Sequence, residues 1–384
     1  MQRHINSVWE KYPEERVADS RDALSSAWMR IPGKRVPFIY AGSALGEWDQ
    51  HEFESMWYHH INNPDDLLEY ELRRILSRAE LVDDFIPLLS VHGRDGDISV
   101  AFPGVYEVLQ NDVFWIRSHL PDVKSVYSLT KPDYTKSPPT RRVLECIKYF
   151  VKETGGAIPI NASSIPGPAV MAGHILGFER LMTAFYDYPD EMHYLIDLCT
   201  ECIIDMFELE IEAAQGALSP MSNMWFWMPL EAGVFLNEDT IQALSPNIIQ
   251  TYLKDSYERI ARRFGGVVLH SCGYWKSSMK TAASIDGIVG FQAGLNETPL
   301  EDQLGAIEGK YSQFVLNIHT SSSSAVGKDG KAFEVPSAKE VVTDILPGLC
   351  EKGVFTCALA GRGEMTIEEA NQLASSAREI KMRA

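Results

Sequence analysis

The sequence predicts an α/β fold, a single closed (β/α)8 TIM barrel with an N-terminal helical extension. Three observations lead there. Eight short apolar runs recur along the 384 residues. Longer stretches with helical periodicity fill the gaps between them. The runs are almost continuously apolar instead of alternating, as strands buried on both faces of a parallel sheet are. Eight strand–helix units in one chain suggest a closed barrel. A doubly wound open sheet is the main competitor, but no glycine-rich dinucleotide fingerprint follows the first run.

In chain order, residues 1–34 precede the first run and read as the helical extension, and 35–384 read as one barrel domain. The runs are RVPFIYAG (35–42), DDFIPLLSVHG (83–93), GGAIPINAS (155–163), a weaker GALSPMSNMWFW (216–227), GGVVLHSCG (265–273), DGIVGF (286–291), SQFVLNIHT (312–320) and KGVFTCALAG (352–361). Between the third and fourth, Phe178, Leu181, Met182 and Phe185 keep the i, i+3, i+4, i+7 spacing of a helix face. A second stripe there carries Met192, Leu195, Ile196, Cys199, Cys202, Ile203 and Met206. Before the fifth run, Asn237 is expected to cap a helix with Glu238 and Asp239 in its first turn. Ile241, Leu244, Ile248, Ile249, Tyr252, Leu253 and Ile260 mark its buried face, with a break near Ser245 imposed by Pro246. Residues 320–337 form a long polar loop after the seventh run, and loops of that length in compact domains are often functional.

Composition narrows the function. The chain is 45% hydrophobic, enough for a large core, and carries a net charge of −18. An acidic surface repels phosphate backbones and anionic lipid, which disfavours nucleic-acid and membrane-surface roles. The charged start MQRHINSVWEKYPEERV lacks the apolar segment of a secretory signal. No apolar run approaches the roughly 20 residues of a membrane span. Six cysteines at low density, mostly inside apolar patterns, fit reduced thiols, so a cytoplasmic protein is expected.

Barrel enzymes draw their chemistry from the C-terminal ends of strands. Here those ends offer Tyr40, His92, Asn161, the cluster Trp225, Phe226 and Trp227, then His270 with Cys272, His319, and finally Cys357 leading to Arg362. Side chains two apart on a strand share a face, so His270 and Cys272 lie about 6–7 Å apart along it and can lean together. Imidazole plus thiolate suits zinc; a His and a Cys packed in the core is the other reading of so short a motif. Trp225 and Trp227 read either as core or as an apolar wall for a substrate. Tyr40 and His92 are candidate acid–base groups. Cys199 and Cys202 form C-x-x-C only formally, since they lie on a helical stripe and read as core. The serines at 321–324 and Arg362 stand where barrels often bind phosphate; a solvated arginine is the other reading of Arg362.

The context of the motif carries a resemblance. The stretch LNEDTIQALSPNIIQTYLKDSYERIARRFGGVVLHSCG, the helical GFERLMTAFYDYPDEMHYLIDLCTECIIDMFELEIEAAQGA and the end GVFTCALAGRGEMTIEEANQLASSAREI resemble the uroporphyrinogen decarboxylase-like superfamily, over residues 155–384 more than the N-terminal part. That superfamily has the (β/α)8 barrel. Its true decarboxylases resemble one another in an arginine-rich early loop and an aspartate after the second strand. Here the corresponding stretches read AGSALGEWDQHEF, without arginine, and SVHGRDGD, with His92 or Arg94 near the expected acid. HSCG instead is similar to the hallmark of the corrinoid-linked methyltransferase branch, in which H-x-C and a later cysteine bind zinc.

The resemblance implies His270, Cys272 and Cys357 as metal ligands, Zn2+ as cofactor, and a corrinoid (cobalamin) supplied by a partner protein. The third ligand departs from the pattern. Matched without gaps, the family position falls near Gly361, while Cys357 lies four residues earlier, roughly 13 Å lower on an ideal strand; His319 is the substitute. The implied activity is methyl transfer between the corrinoid and a small methylated substrate or a thiol, with Trp225, Trp227, His319, Tyr40 and His92 as substrate-contacting candidates. A corrinoid-independent thiol alkyltransferase is a close variant. A metal-free decarboxylase or lyase and a non-catalytic binding protein on the same barrel are the alternatives. A homodimer would be unsurprising.

Overall fold

Nine parallel strand segments wrap into a barrel in this computed structural model, which describes residues 2–41, 63–91, 98–102, 106–108, 114–117, 120–222, 226–320, 324–326, 332–360 and 365–383. One sheet has the order β1 (Phe38–Tyr40), β13 (Phe355–Ala360), β10 (Val315–His319), β9 (Ile288–Gly294), β8 (Val267–His270), β7 (Val234–Asn237). The other has the order β2 (Leu89–Ser90), β5 (Ile160–Asn161), β6 (Leu218–Ser219). Every pair within these two sheets is parallel. Backbone links join them at both seams: the Asp84 N–H donates to the Phe38 carbonyl at 3.0 Å, and the Phe235 N–H to the Pro220 carbonyl at 3.0 Å. The eight expected strands are all present. β7 is additional, and because β6 and β7 share a single following helix, they make the strand part of the fourth β/α unit together. Antiparallel hairpins β3–β4 (Tyr106–Val108, Phe114–Ile116) and β11–β12 (Ser324–Val326, Ala332–Glu334) were not expected. The second occupies part of the stretch read as polar loop.

Two N-terminal helices, α1 (Gln2–Lys11) and α2 (Glu14–Trp28), form the expected extension. Ile5, Val8, Leu24 and Trp28 are buried in the same apolar cluster as the strands, so extension and barrel share one core. The barrel helices are α3 (Pro64–Ser77), α4 (Pro138–Thr154), then α5 (Pro168–Leu176), α6 (Phe178–Asp187) and α7 (Pro189–Ala214) after β5. α8 runs through Pro246–Ile248, a π-helical turn Ile249–Leu253 and Lys254–Phe264. α9 (Lys276–Ala282), α10 (Leu300–Ala306), α11 (Ala338–Glu340, Val341–Ile345 and Leu346–Glu351) and α12 (Ile367–Arg378) complete the ring. Among the described residues, no helix is long and apolar enough to cross a membrane.

The start of α8 corrects the sequence reading. Asn237 caps no helix; it ends β7, and a 3-10 turn, Asp239–Ala243, follows. The α-helix begins at Pro246, with the Ser245 hydroxyl accepting from the Ile248 N–H. Proline at the first helical position has no N–H to leave unpaired and a preset φ, so it starts this helix instead of breaking one. The apolar stripe expected from Ile241 to Ile260 is buried throughout.

The gap between β1 and β2 is closed by buried carboxylates. The Phe38 N–H donates to Asp84 Oδ2 at 3.0 Å and the Tyr40 N–H to Asp83 Oδ2 at 2.9 Å. On the far side, the Ser90 N–H donates to Glu71 Oε2 at 2.7 Å. Each acid has an arginine: Arg35 on Asp84, Arg78 on Asp83, Arg74 on Glu71. Backbone donors that lack a strand partner must find another acceptor, and a buried carboxylate is tolerated only when paired. The ion pairs thus replace missing sheet hydrogen bonds.

His174 on α5 gives a pH-dependent term. Its Nδ1 lies 3.0 Å from the Ser99 hydroxyl, and burial pulls its pKa down to about 4 from 6.5. A base whose folded pKa is depressed contributes stability that is complete above about 6.5 and lost as pH falls towards 4. The shift corresponds to about 3 kcal/mol. Urea unfolding between pH 4 and 7 should show a steeper acid loss in the parent than in His174→Asn, which keeps a polar atom near Ser99 without the titration.

Candidate metal centre

β8 starts from a buried run, Val267, Val268 and Leu269, and ends on His270 at the C-terminal mouth. The chain then turns at Gly273, where φ is +87° and an added Cβ would meet Gln242 Oε1 at 2.3 Å. The positive φ favours glycine, and the turn presents Cys272 outward. Cys272 is exposed, whereas the other five cysteines are buried, Cys199 and Cys202 among them. His270 Nε2 lies 3.2 Å from Cys272 Sγ. The two side chains therefore converge, as the alternation along a strand requires.

The third group is Asp239, just past the end of β7. Its Oδ1 accepts the Cys272 N–H at 2.6 Å and lies 3.8 Å from His270 Nε2. One donor atom each from Asp239, His270 and Cys272 lie within 4.8 Å of one another. β7 and β8 are paired in register, Asn237 opposite His270, so Asp239 follows at the same rim. Glu238 secures this corner. Its N–H donates to the His270 carbonyl at 2.8 Å. Its buried carboxyl group, pushed up to about 8 by burial, accepts the Val170 N–H at 3.0 Å, at the start of α5, and the Tyr257 hydroxyl at 3.1 Å.

The electrostatics favour a neutral imidazole. Burial lowers the pKa of His270 below its ordinary value, against the pull of the Asp239 carboxylate and of Gln292. Phe235 stacks on the ring with centroids 6.0 Å apart. Beside the cluster, His319 and Glu297 converge on Gly294, where an added Cβ would lie 2.9 Å from both His319 Cε1 and Glu297 Oε2. His319 is pulled to about 4, by burial first and by His270 second. Glu297 is raised by burial, with Asp239 adding to the effect, and its Oε2 is buried without a hydrogen bond.

Cys357 does not join the cluster. β8 ends at His270, whereas β13 continues three residues past Cys357 to Ala360, which leaves the thiol deep in the barrel opposite Asn317. Burial, and Asp84 behind it, push that thiol well above its ordinary pKa, the reverse of what a ligating thiolate needs. Trp227 is likewise not at the mouth. The Trp28 indole N–H donates to its carbonyl at 3.2 Å and Arg21 lies over its ring at 5.1 Å, both from α2. After β6 the chain must return to the base of the barrel to start the parallel β7, and Trp227 lies on that return. Tyr40 is fully buried at the end of β1, its phenol raised by burial and then by Glu369. His92, Trp225, Gly361, Arg362, the serines at 321–323 and the early stretch 42–62 lie outside the described residues.

Asp239 escapes the sequence reasoning because, with Glu238, it fits the first turn of a helix capped by Asn237. The signal available was a run of β-formers followed by two acids. Gln292 and Glu297 carry no spacing that singles them out.

Architecture and site define a class: a (β/α)8 barrel with a candidate metal centre at its C-terminal mouth. The chain belongs to the uroporphyrinogen decarboxylase (URO-D) family, whose model matches residues 20–296, more than half of its length. That match includes most of the N-terminal part, where the sequence reading saw little resemblance. Among solved structures, a methyltransferase from Methanosarcina mazei superposes with a TM-score of 0.62 at 16% identity, over 94% of this chain and 98% of that one. A protein assigned as a vitamin-B12-independent methionine synthase from Listeria monocytogenes has a TM-score of 0.46 at 11% identity, over 90% and 96%. No curated protein matches. At such identity the Methanosarcina structure supports the fold.

Proposed function

We propose that the protein is a zinc-dependent methyltransferase that moves a methyl group between a small methylated substrate or thiol and a corrinoid held by a partner protein. The observation that carries this reading is the convergence of Asp239, His270 and Cys272 at the mouth. The donor set fits zinc. Bonds of about 2.0–2.3 Å place tetrahedral ligands about 3.3–3.8 Å apart, against 3.2 Å and 3.8 Å here. Three protein donors leave a position for substrate, the pattern of catalytic zinc. Asp239 takes the place that the resemblance reserved for a cysteine.

Zinc supplies Lewis acidity, which favours the thiolate of a thiol substrate and weakens the bond between a methyl group and oxygen. The chain's own residues prepare the site for it. The Cys272 N–H orients the Asp239 carboxylate. Burial keeps His270 neutral, with a lone pair to donate. The Glu238 N–H anchors the His270 backbone carbonyl, and Phe235 stacks on the imidazole. His319, neutral at pH 7 and adjacent, is the side chain best placed to contact substrate. The methyl-carrying chemistry belongs to the corrinoid, and the barrel positions the reacting groups.

Family membership sustains decarboxylation as the second reading. The absence of arginine from AGSALGEWDQHEF opposes it. Metal analysis followed by a visible-spectrum assay of a corrinoid protein with O-, N- and S-methyl compounds separates them. The expected result is one zinc per chain and a donor-dependent spectral change. Full activity in zinc-free protein would overturn the proposal.

A further inference from the structure

We infer that Gln292 is a positioning residue for His270: its side-chain oxygen faces the imidazole Nδ1–H, which leaves Nε2 unprotonated towards Cys272 and Asp239. This rests on the zinc reading only where it concerns affinity; the tautomer itself is a property of the metal-free chain.

His270 and Gln292 are direct partners across β8 and β9, and Gln292 and Asn317 direct partners across β9 and β10. Gln292 is buried, and its Nε2 donates to Asn317 Oδ1 at 2.9 Å. A carboxamide that spends its nitrogen on one side presents its oxygen to the other, and the other side is β8. His270 Nδ1 is buried and has no hydrogen-bond partner, so it is the ring atom in need of an acceptor. In a neutral imidazole one nitrogen carries the proton and the other the lone pair. An acceptor at Nδ1 therefore assigns the lone pair to Nε2, the atom 3.2 Å from Cys272 Sγ. Ligating histidines commonly give their second N–H to such a group, and its loss weakens metal binding by about 10–100-fold.

The opposite amide orientation would donate to Nδ1 and place the proton on Nε2, where it blocks ligation. The experiment separates the two. Nitrogen-15 NMR of histidine-labelled, metal-free protein, with the His270 signal identified by its loss in His270→Asn, should show the Nδ1–H tautomer. Gln292→Met should shift it towards Nε2–H. Zinc affinity, measured by chelator competition on folded protein, should fall about 10–100-fold in Gln292→Met and be kept or tightened in Gln292→Glu. A merely structural glutamine would lower the unfolding midpoint and leave tautomer and affinity unchanged. An Nε2–H tautomer in the parent, or tighter zinc in Gln292→Met, overturns the inference. A parent that shows the Nδ1–H tautomer and binds no zinc would remove the zinc reading and leave the positioning role standing.

Discussion

Cys272→Ser is expected to abolish stoichiometric zinc and with it methyl transfer. A hydroxyl is a far poorer zinc ligand than a thiolate, and only His270 and Asp239 would remain. The fall in affinity should exceed the roughly 100-fold that loss of a supporting residue causes. Equilibrium dialysis or chelator competition reads it directly. Two companion variants decide the third ligand. Asp239→Asn keeps an oxygen for the Cys272 N–H, which the carboxylate accepts at 2.6 Å, and removes only the charge. It should weaken zinc binding without unfolding the turn. Cys357→Ala, deep in the barrel, should cost some stability and leave one zinc per chain. Full zinc in Asp239→Asn together with loss in Cys357→Ala would return the third position to the cysteine that the resemblance implied.

Arg78→Met is expected to destabilise the fold by about 3–5 kcal/mol, the cost of leaving one member of a buried ion pair without its partner. Arg78 and Asp83 are each about 1% exposed. Asp83 also accepts the Tyr40 N–H, and the Arg78 guanidinium donates to the Tyr40 carbonyl at 3.1 Å, so the pair stands in for a strand beside β1. Urea unfolding of the variant measures the loss. Lys136→Ala is the control. Its pair with Asp133 is exposed, and such pairs contribute about 0–1 kcal/mol. Equal effects in the two variants would show that the buried pair does not secure the β1–β2 gap.

The strands were legible because a parallel barrel buries both faces of each, so the runs ending at Tyr40, His270, His319 and Ala360 read as apolar whatever their neighbours. The stripe from Ile241 to Ile260 was legible for the same reason, through helical periodicity. β7 was not. Four residues between two turns give too short a pattern to distinguish a strand from the lead-in to a helix, and its misreading hid Asp239. The hairpins β3–β4 and β11–β12 were also missed, since their pairing is with each other and leaves no apolar stripe.

The sequence by itself determined the barrel and the facing of His270 with Cys272, because both follow from local periodicity: alternation along one strand needs no knowledge of its neighbours. It did not determine which group joins them. That depends on how far each strand runs past its candidate residue and on which strand stands alongside. Only the tertiary structure sets Cys357 three residues below the end of β13 and Asp239 at the rim beside β8. Only it turns Trp227 down towards α2 and sets Gln292 opposite His270 in register. Register between strands distant in sequence is fixed by packing around the closed barrel, and no short stretch of residues encodes it.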